Sequence, residues 1–166
     1  MDETLIDRLD AWIKDNRPDY YSLLRSGVAD AELDALEAKF ALTLPEDFRA
    51  LYKWRDGQDE ASSDSFQGNY MFMSLSDLTS TKELMDGMIG FDFEEGYWER
   101  EWVPFMSNGG GSYLCLDAIA RNGEAPGRLL GFWKNDEDRE TEYASVEEWL
   151  EELVESMESG EFEVDE

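Results

Sequence analysis

Forty-one aspartates and glutamates carry almost all the reactive potential of this chain, and no histidine stands beside them. Paired carboxylates can act as acid and base in glycoside hydrolysis. In a chain this acidic, some pair always falls near the required separation, so pairing alone selects no site. Without histidine there is no Ser-His-Asp or Cys-His catalysis and no imidazole metal site. A single cysteine, Cys115, can build neither a zinc site nor an internal disulfide. It lies in the strand-like run YLCLD and reads as a small core residue. Asp56, Asp59, Glu60 and Asp64 cluster in one segment, and Asp136, Glu137 and Asp138 in another. Neither follows a calcium loop, with its central glycine and terminal glutamate. Gly109–Gly111 lacks the strand and helix that frame a dinucleotide fingerprint, and no GxxxxGK[ST] loop is present. No cofactor, metal or catalytic residue is therefore expected.

Binding chemistry remains. The formal net charge is −27, from 41 acids against 14 bases. The final 32 residues hold fifteen acids and one base, Arg139, so half of the excess sits in the last fifth of the chain. Salt-adapted proteins are also acidic and lysine-poor, but that adaptation coats a whole surface rather than one end. Such a charge repels nucleic acid and anionic membrane and attracts a basic protein. Three groups of residues are candidates for partner binding. Tyr97 and Trp98 stand among Glu94, Glu95 and Glu99, and Trp and Tyr dominate interface hot spots. These two aromatics equally suit a core beneath an irregular segment, whereas Trp102, which opens a strand, reads as core. The second group is the loop acids Asp136, Glu137 and Asp138. The third is Glu148, Glu152 and Glu155, on the outer face of the last helix.

That helix shows how the charge acts on folding. Glu147, Glu148, Glu151, Glu152, Glu155 and Glu158 make six like-charged pairs at three- or four-residue spacing. At about 0.2–0.5 kcal/mol each, their repulsion is about 1–3 kcal/mol. Folding gains nothing from the pattern, so the face is either merely solvated or an interface.

The elements that must position these groups follow from periodicity. Leu5, Ile6, Leu9, Trp12 and Ile13 recur at helical spacing up to Pro18. A further turn over Tyr20–Leu24 closes at Gly27. Asp30 is placed to cap a helix burying Leu33, Leu36 and Phe40. In LPEDFRALYKWRDG, Pro45 opens a helix, Glu46 and Asp47 meet its positive end, and Gly57 ends it. Residues 58–68 form a polar loop, Tyr70–Leu75 a strand and Ser76–Met88 a helix. Phe91–Glu101 has no clean period. Strands are expected at Trp102–Met106, Ser112–Asp117 and Arg128–Trp133, followed by a charged loop, KNDEDRETE. Ser145 and Glu148 have capping-box spacing before the stripe Trp149, Leu150, Leu153, Val154 and Met157. Helices first, strands in the middle and a closing helix predict an α+β fold. Its sheet is central and largely antiparallel, with N-terminal helices and a C-terminal helix at its flanks. The length and the lack of a linker predict one domain over residues 1–166. The N-terminal residues have neither the basic nor the apolar region of a signal peptide, and no apolar run reaches a membrane span. A cytoplasmic location is expected.

Four segments together resemble the SUKH superfamily, the domain shared by fungal cell-wall-assembly regulators of the Smi/Knr type and many bacterial immunity proteins. They are Glu32–Gly57, WVPFMSNGGGSYLCLD from Trp102, GRLLGFW from Gly127 and YASVEEWLEEL from Tyr143. The resemblance implies an α+β domain without catalytic residues. In the bacterial branch it implies an immunity protein that binds a cognate toxin, often a nuclease. The fungal regulators carry long disordered flanks, and the lack of such flanks here points to the bacterial branch. The expected function is neutralisation of a basic toxin, with a regulatory scaffold of the Smi/Knr type as the alternative.

Overall fold

The computed structural model describes residues 3–94, 96–119, 126–136 and 138–164. Its helices are α1 (Glu3–Asn16), α2 (Pro18–Tyr21), α3 (Asp30–Phe40), α4 (Glu46–Trp54), α5 (Leu75–Gly87) and α6 (Val146–Ser159). Its strands are β1 (Leu24–Ser26), β2 (Arg55–Gln58), β3 (Met71–Phe72), β4 (Trp102–Ser107), β5 (Tyr113–Asp117), β6 (Leu129–Phe132) and β7 (Thr141–Tyr143). The fold is α+β. Strands β3-β4-β5-β6-β7 form one antiparallel sheet in that order, and β1-β2 form a second, two-stranded one.

The central sheet is covered on both faces, and β5 shows why. Side chains alternate across a strand. Leu114 and Leu116 enter a large core with Leu9 and Ile13 of α1, Phe48 and Leu51 of α4, and Trp149 and Leu153 of α6. Cys115, between them, enters a smaller core with Met85, Trp98, Trp102, Leu130 and Phe132. A register shift in β4 between Pro104 and Met106 breaks the alternation, so Phe105 and Met106 both join the larger core.

Several local expectations change. Ala29, not Asp30, precedes α3, and the Glu32 carboxylate accepts the Ala29 N–H at 2.9 Å. Asp30, freed from capping, faces Arg49 and Lys53 of α4. Leu24 begins β1 instead of extending a helical turn. Gly57 does not end α4. That helix passes straight into β2, where Gly57 has φ +66° and a Cβ would lie 2.4 Å from the Met73 carbonyl carbon. The charged loop after β6 contains β7, an edge strand whose residues carry no apolar alternation. At the polar loop the buried Gln58 is the organising side chain. Its Oε1 accepts from the Tyr20 hydroxyl at 2.6 Å and the Phe72 N–H at 2.9 Å, and its Nε2 donates to the Asp64 carbonyl at 2.7 Å.

Candidate functional site

Residues 88–94 and 96–101 follow α5 and fold back over the smaller core as a tongue without regular structure. The Phe93 N–H returns to the Met88 carbonyl at 3.0 Å, and the Tyr97 N–H to the Glu94 carbonyl at 3.1 Å. Trp98 anchors the tongue. It is only 1% exposed, so its ring is a core residue rather than a surface contact. It stands edge-on to Trp102 at 5.5 Å and to Phe132 at 5.3 Å, and its indole N–H donates to Asp86 Oδ1 at 2.8 Å. That carboxylate also pairs with Lys82, whose side chain is fully buried. The Lys82 ammonium donates to the Arg100 carbonyl and, at 2.9 Å, to the Trp102 carbonyl. Burial pulls the Lys82 pKa below its ordinary value, while Asp86 favours the charged form. A buried cation thus ties the end of the tongue to α5.

Tyr97 is half-buried, packed on Phe93 at 4.7 Å and on Phe132 at 5.2 Å, and its hydroxyl donates to the Lys134 carbonyl at 2.6 Å. Arg139 completes the arrangement. Its guanidinium lies 5.0 Å from the Tyr97 ring centre and 4.4 Å from that of Phe132. Nε and Nη2 donate to the Tyr97 carbonyl at 3.3 and 3.2 Å, and Nη1 to the carbonyls of Asp136 at 2.6 Å and Asp138 at 2.8 Å. One cation therefore sets the first two candidate groups side by side. Glu94, Asp136 and Asp138 are exposed there, and Glu99 is half-buried. Glu95 and Glu137 lie outside the described residues.

The third group stands on α6. Ser145 Oγ accepts the Glu148 N–H at 3.0 Å, and Glu148 Oε2 accepts the Ala144 N–H at 2.6 Å. This double cap fixes the start of the helix, Gly160 at φ +84° ends it, and the predicted apolar stripe is buried. Glu148, Glu152 and Glu155 are exposed. Burial, then the charges of Glu152, Glu142 and Glu148, raise the pKa of the Tyr143 hydroxyl on β7. The acidic helix face thus continues onto the sheet edge, and the loop preceding β7 leads from it to the Arg139 clamp. Glu158, at the end of the helix, pairs with Arg8, which lowers its pKa.

Two exposed apolar residues, one on α5 and one on the tongue, escape a reading by residue type. Phe91 is 87% exposed at the tip of the tongue, and Leu84 is 62% exposed on the last turns of α5. A large apolar side chain in water is the more informative departure, and Phe91, flanked by Gly90 and Asp92 in a stretch without period, was the signal available. Arg139 was visible as the lone base among the last 32 residues, but its role depends on the fold.

Two carboxylates of β2 and the polar loop hold backbone amides. Asp56 Oδ1 accepts the Leu75 N–H at 2.7 Å, and Asp59 Oδ1 the Ala61 N–H at 2.9 Å. Asp77 is held above the ordinary carboxylate range by burial and by Glu60. This acid pair borders a cleft of about 200 Å³, with Arg25 3.5 Å from Glu60. That is below the roughly 300–1,000 Å³ of substrate pockets. Burial raises the Cys115 thiol pKa above its ordinary value of 9.0, which suits a core residue. Among the described residues no cluster of three or more acidic, cysteine or histidine side chains could hold a metal ion. Among them, too, no helix is long and apolar enough to cross a membrane.

Comparison with known proteins adds two findings. The model of the SMI1 / KNR4 family (SUKH-1) matches residues 27–152. Over 189 aligned residues the chain is 22% identical to the cell wall biosynthesis/cell cycle regulator smi1 of Schizosaccharomyces pombe. That match covers 96% of the chain and 36% of the regulator, so the chain spans about a third of its relative's length.

Proposed function

Since the chain belongs to the SMI1/KNR4 family (SUKH-1), we propose that it is a non-catalytic binding domain that captures a basic protein, a cognate toxin in the first instance, and occludes its active surface. The observation that carries this reading is the Arg139 clamp, which holds Tyr97 beside the exposed Asp136 and Asp138, with the exposed Glu94 joined to it through the Tyr97 N–H. Toxins that act on nucleic acid must present basic surfaces to phosphate. A −27 partner gains electrostatic steering toward such a surface. The test is protection of cells from the toxin encoded beside this chain, with association rates measured across salt concentrations. Protection with an association rate that falls steeply with salt supports the proposal. Failure to protect against any adjacent toxin overturns the function, and a salt-independent rate overturns its electrostatic part.

The likeness to a cell wall biosynthesis/cell cycle regulator favours a second reading, a regulatory scaffold. Capture of cell-wall or signalling enzymes, with no toxin gene adjacent, would select it.

A further inference from the structure

A groove of about 980 Å³ runs between α1, α3 and α4, elements that take no part in the tongue or the Arg139 clamp. Ile6, Leu44, Ala50 and Trp54 give it an apolar floor. Its acids are Asp7, Asp30, Asp34, Glu37 and Glu46, against the bases Arg49 and Lys53. Both bases are already engaged. Arg49 reaches Asp30 at 3.1 Å, Asp34 at 2.9 Å and Glu37 at 3.3 Å, and Lys53 reaches Asp30 at 3.3 Å. The Arg49 side chain is only 17% exposed. An incoming anion would have to displace these carboxylates, whereas an incoming cation finds an excess of them. Trp54 is fixed in place, its indole N–H donating to Asp10 Oδ1 at 2.8 Å. A held indole is a favourable platform for a lysine or arginine.

We propose that this groove docks a short basic segment of a partner protein. The segment lays one apolar side chain on the floor at Ala50 and Trp54 and sets its cations against Asp7, Glu46 and the carboxylates of α3. Charge complementarity selects the partner, and the apolar floor distinguishes the groove from the acidic face of α6, whose apolar side is buried in the core. The size is within the roughly 300–1,000 Å³ of ligand sites, enough for a few side chains.

The experiment uses a short amphipathic Lys/Leu peptide as probe, with the whole chain observed by amide and indole NMR. Saturable binding is expected, with shifts at Asp7, Ala50 and the Trp54 indole N–H. A peptide of lysines alone should bind more weakly. Asp7→Lys with Glu46→Lys, neither in the ion pairs above, should weaken binding about tenfold, equivalent to about 1.4 kcal/mol. Glu151→Lys with Glu155→Lys on α6 should leave it within about twofold. Melting temperatures establish that each variant is folded. Shifts centred on α6 or the tongue, equal weakening by both pairs of reversals, or equal binding of the two peptides would overturn the proposal. Each of these outcomes is independent of protection from a toxin, so the two proposals fail separately.

Discussion

The Trp98 indole N–H meets Asp86 Oδ1 at 2.8 Å, and the same carboxylate holds the buried Lys82 ammonium at 3.1 Å through its other oxygen. A candidate contact residue is thereby bound into the polar centre of a small aromatic core. Lys82→Met removes the donor to the Arg100 carbonyl of the tongue and to the Trp102 carbonyl of β4, and leaves Asp86 without its cation. Unsatisfied buried groups of this kind cost about 1–3 kcal/mol each, and breaking a buried pair about 3–5. Because Asp86 keeps some solvent contact, with a side chain 14% exposed, the expected loss is about 2–4 kcal/mol. Asp86→Asn, which can still accept from Trp98, should lose less. Urea midpoints measure both, and a Lys82→Met variant as stable as the parent would show that the tongue is held by its aromatic rings alone.

Gly57 is the backbone counterpart. Its φ of +66° disfavours any side chain, and a Cβ would meet the Met73 backbone at 2.4 Å. Gly57→Ala should destabilise by more than the roughly 1 kcal/mol of an ordinary strained glycine site, because β2 or the segment at Met73 must also move. Denaturation midpoints together with amide exchange at Leu24–Ser26 would report it. Unchanged exchange at β1 would mean that the strain is absorbed at Met73.

How much was legible follows from cases such as these. The apolar stripe of α6 and its Ser145–Glu148 cap follow from local spacing, and the structure has them as expected. The order of helices and strands, and hence the α+β class, rests on the same kind of signal. Gly57 misleads because a glycine after a helix suits either a left-handed cap or a close backbone approach, and only the position of Met73 distinguishes them. Strand β7 is hidden because an exposed edge strand needs no alternation. At the candidate site, residue type singles out Tyr97 and the acids around it as candidates only. It cannot show that Arg139 joins the two acidic segments across 42 residues, nor that Trp98 turns inward.

The acidic face of α6 can be tested apart from the tongue. Replacing Glu148, Glu152 and Glu155 with Gln removes five of the six like-charged pairs on that face. The Glu148→Gln side chain keeps a carbonyl oxygen for the Ala144 N–H, so the cap survives. Stability should rise by about 1–2 kcal/mol at low salt and by less at high salt. If association with the proposed basic partner slows in the same variant, the face belongs to that interface. Unchanged association with a raised melting temperature would show that it is only solvated.

Alkaline pH should unfold this protein through its tyrosines. Burial, the largest cause in each case, raises the hydroxyl pKa of Tyr20, Tyr52, Tyr70, Tyr113 and Tyr143 above the ordinary 10.0. The Cys115 thiol is raised above 9.0 in the same way. Each of these groups keeps its proton in the folded state at pH values where the unfolded chain releases it. Their stabilising contribution is whole below the unfolded pKa and declines as pH rises toward the folded one, by at most about 1.4 kcal/mol per pH unit for each group and by less for the half-buried Tyr70, Tyr113 and Tyr143, which solvent screens. Lys82 opposes them: its folded pKa is lowered, so it adds stability as pH rises, but only up to its unfolded value of 10.5. Five tyrosines outweigh one lysine, and the urea midpoint should fall steeply between about pH 9 and about pH 11. Tyr70 offers the sharpest control, because its buried hydroxyl lacks a hydrogen-bond partner among the described residues. Tyr70→Phe should be neutral or stabilising near pH 7, since no bond is lost, and should lessen the alkaline slope. Tyr52→Phe, which removes the 2.7 Å bond to the Met73 carbonyl, should lessen the slope but lower stability at neutral pH. A midpoint that stays level up to about pH 11 would mean that these hydroxyls ionise without unfolding.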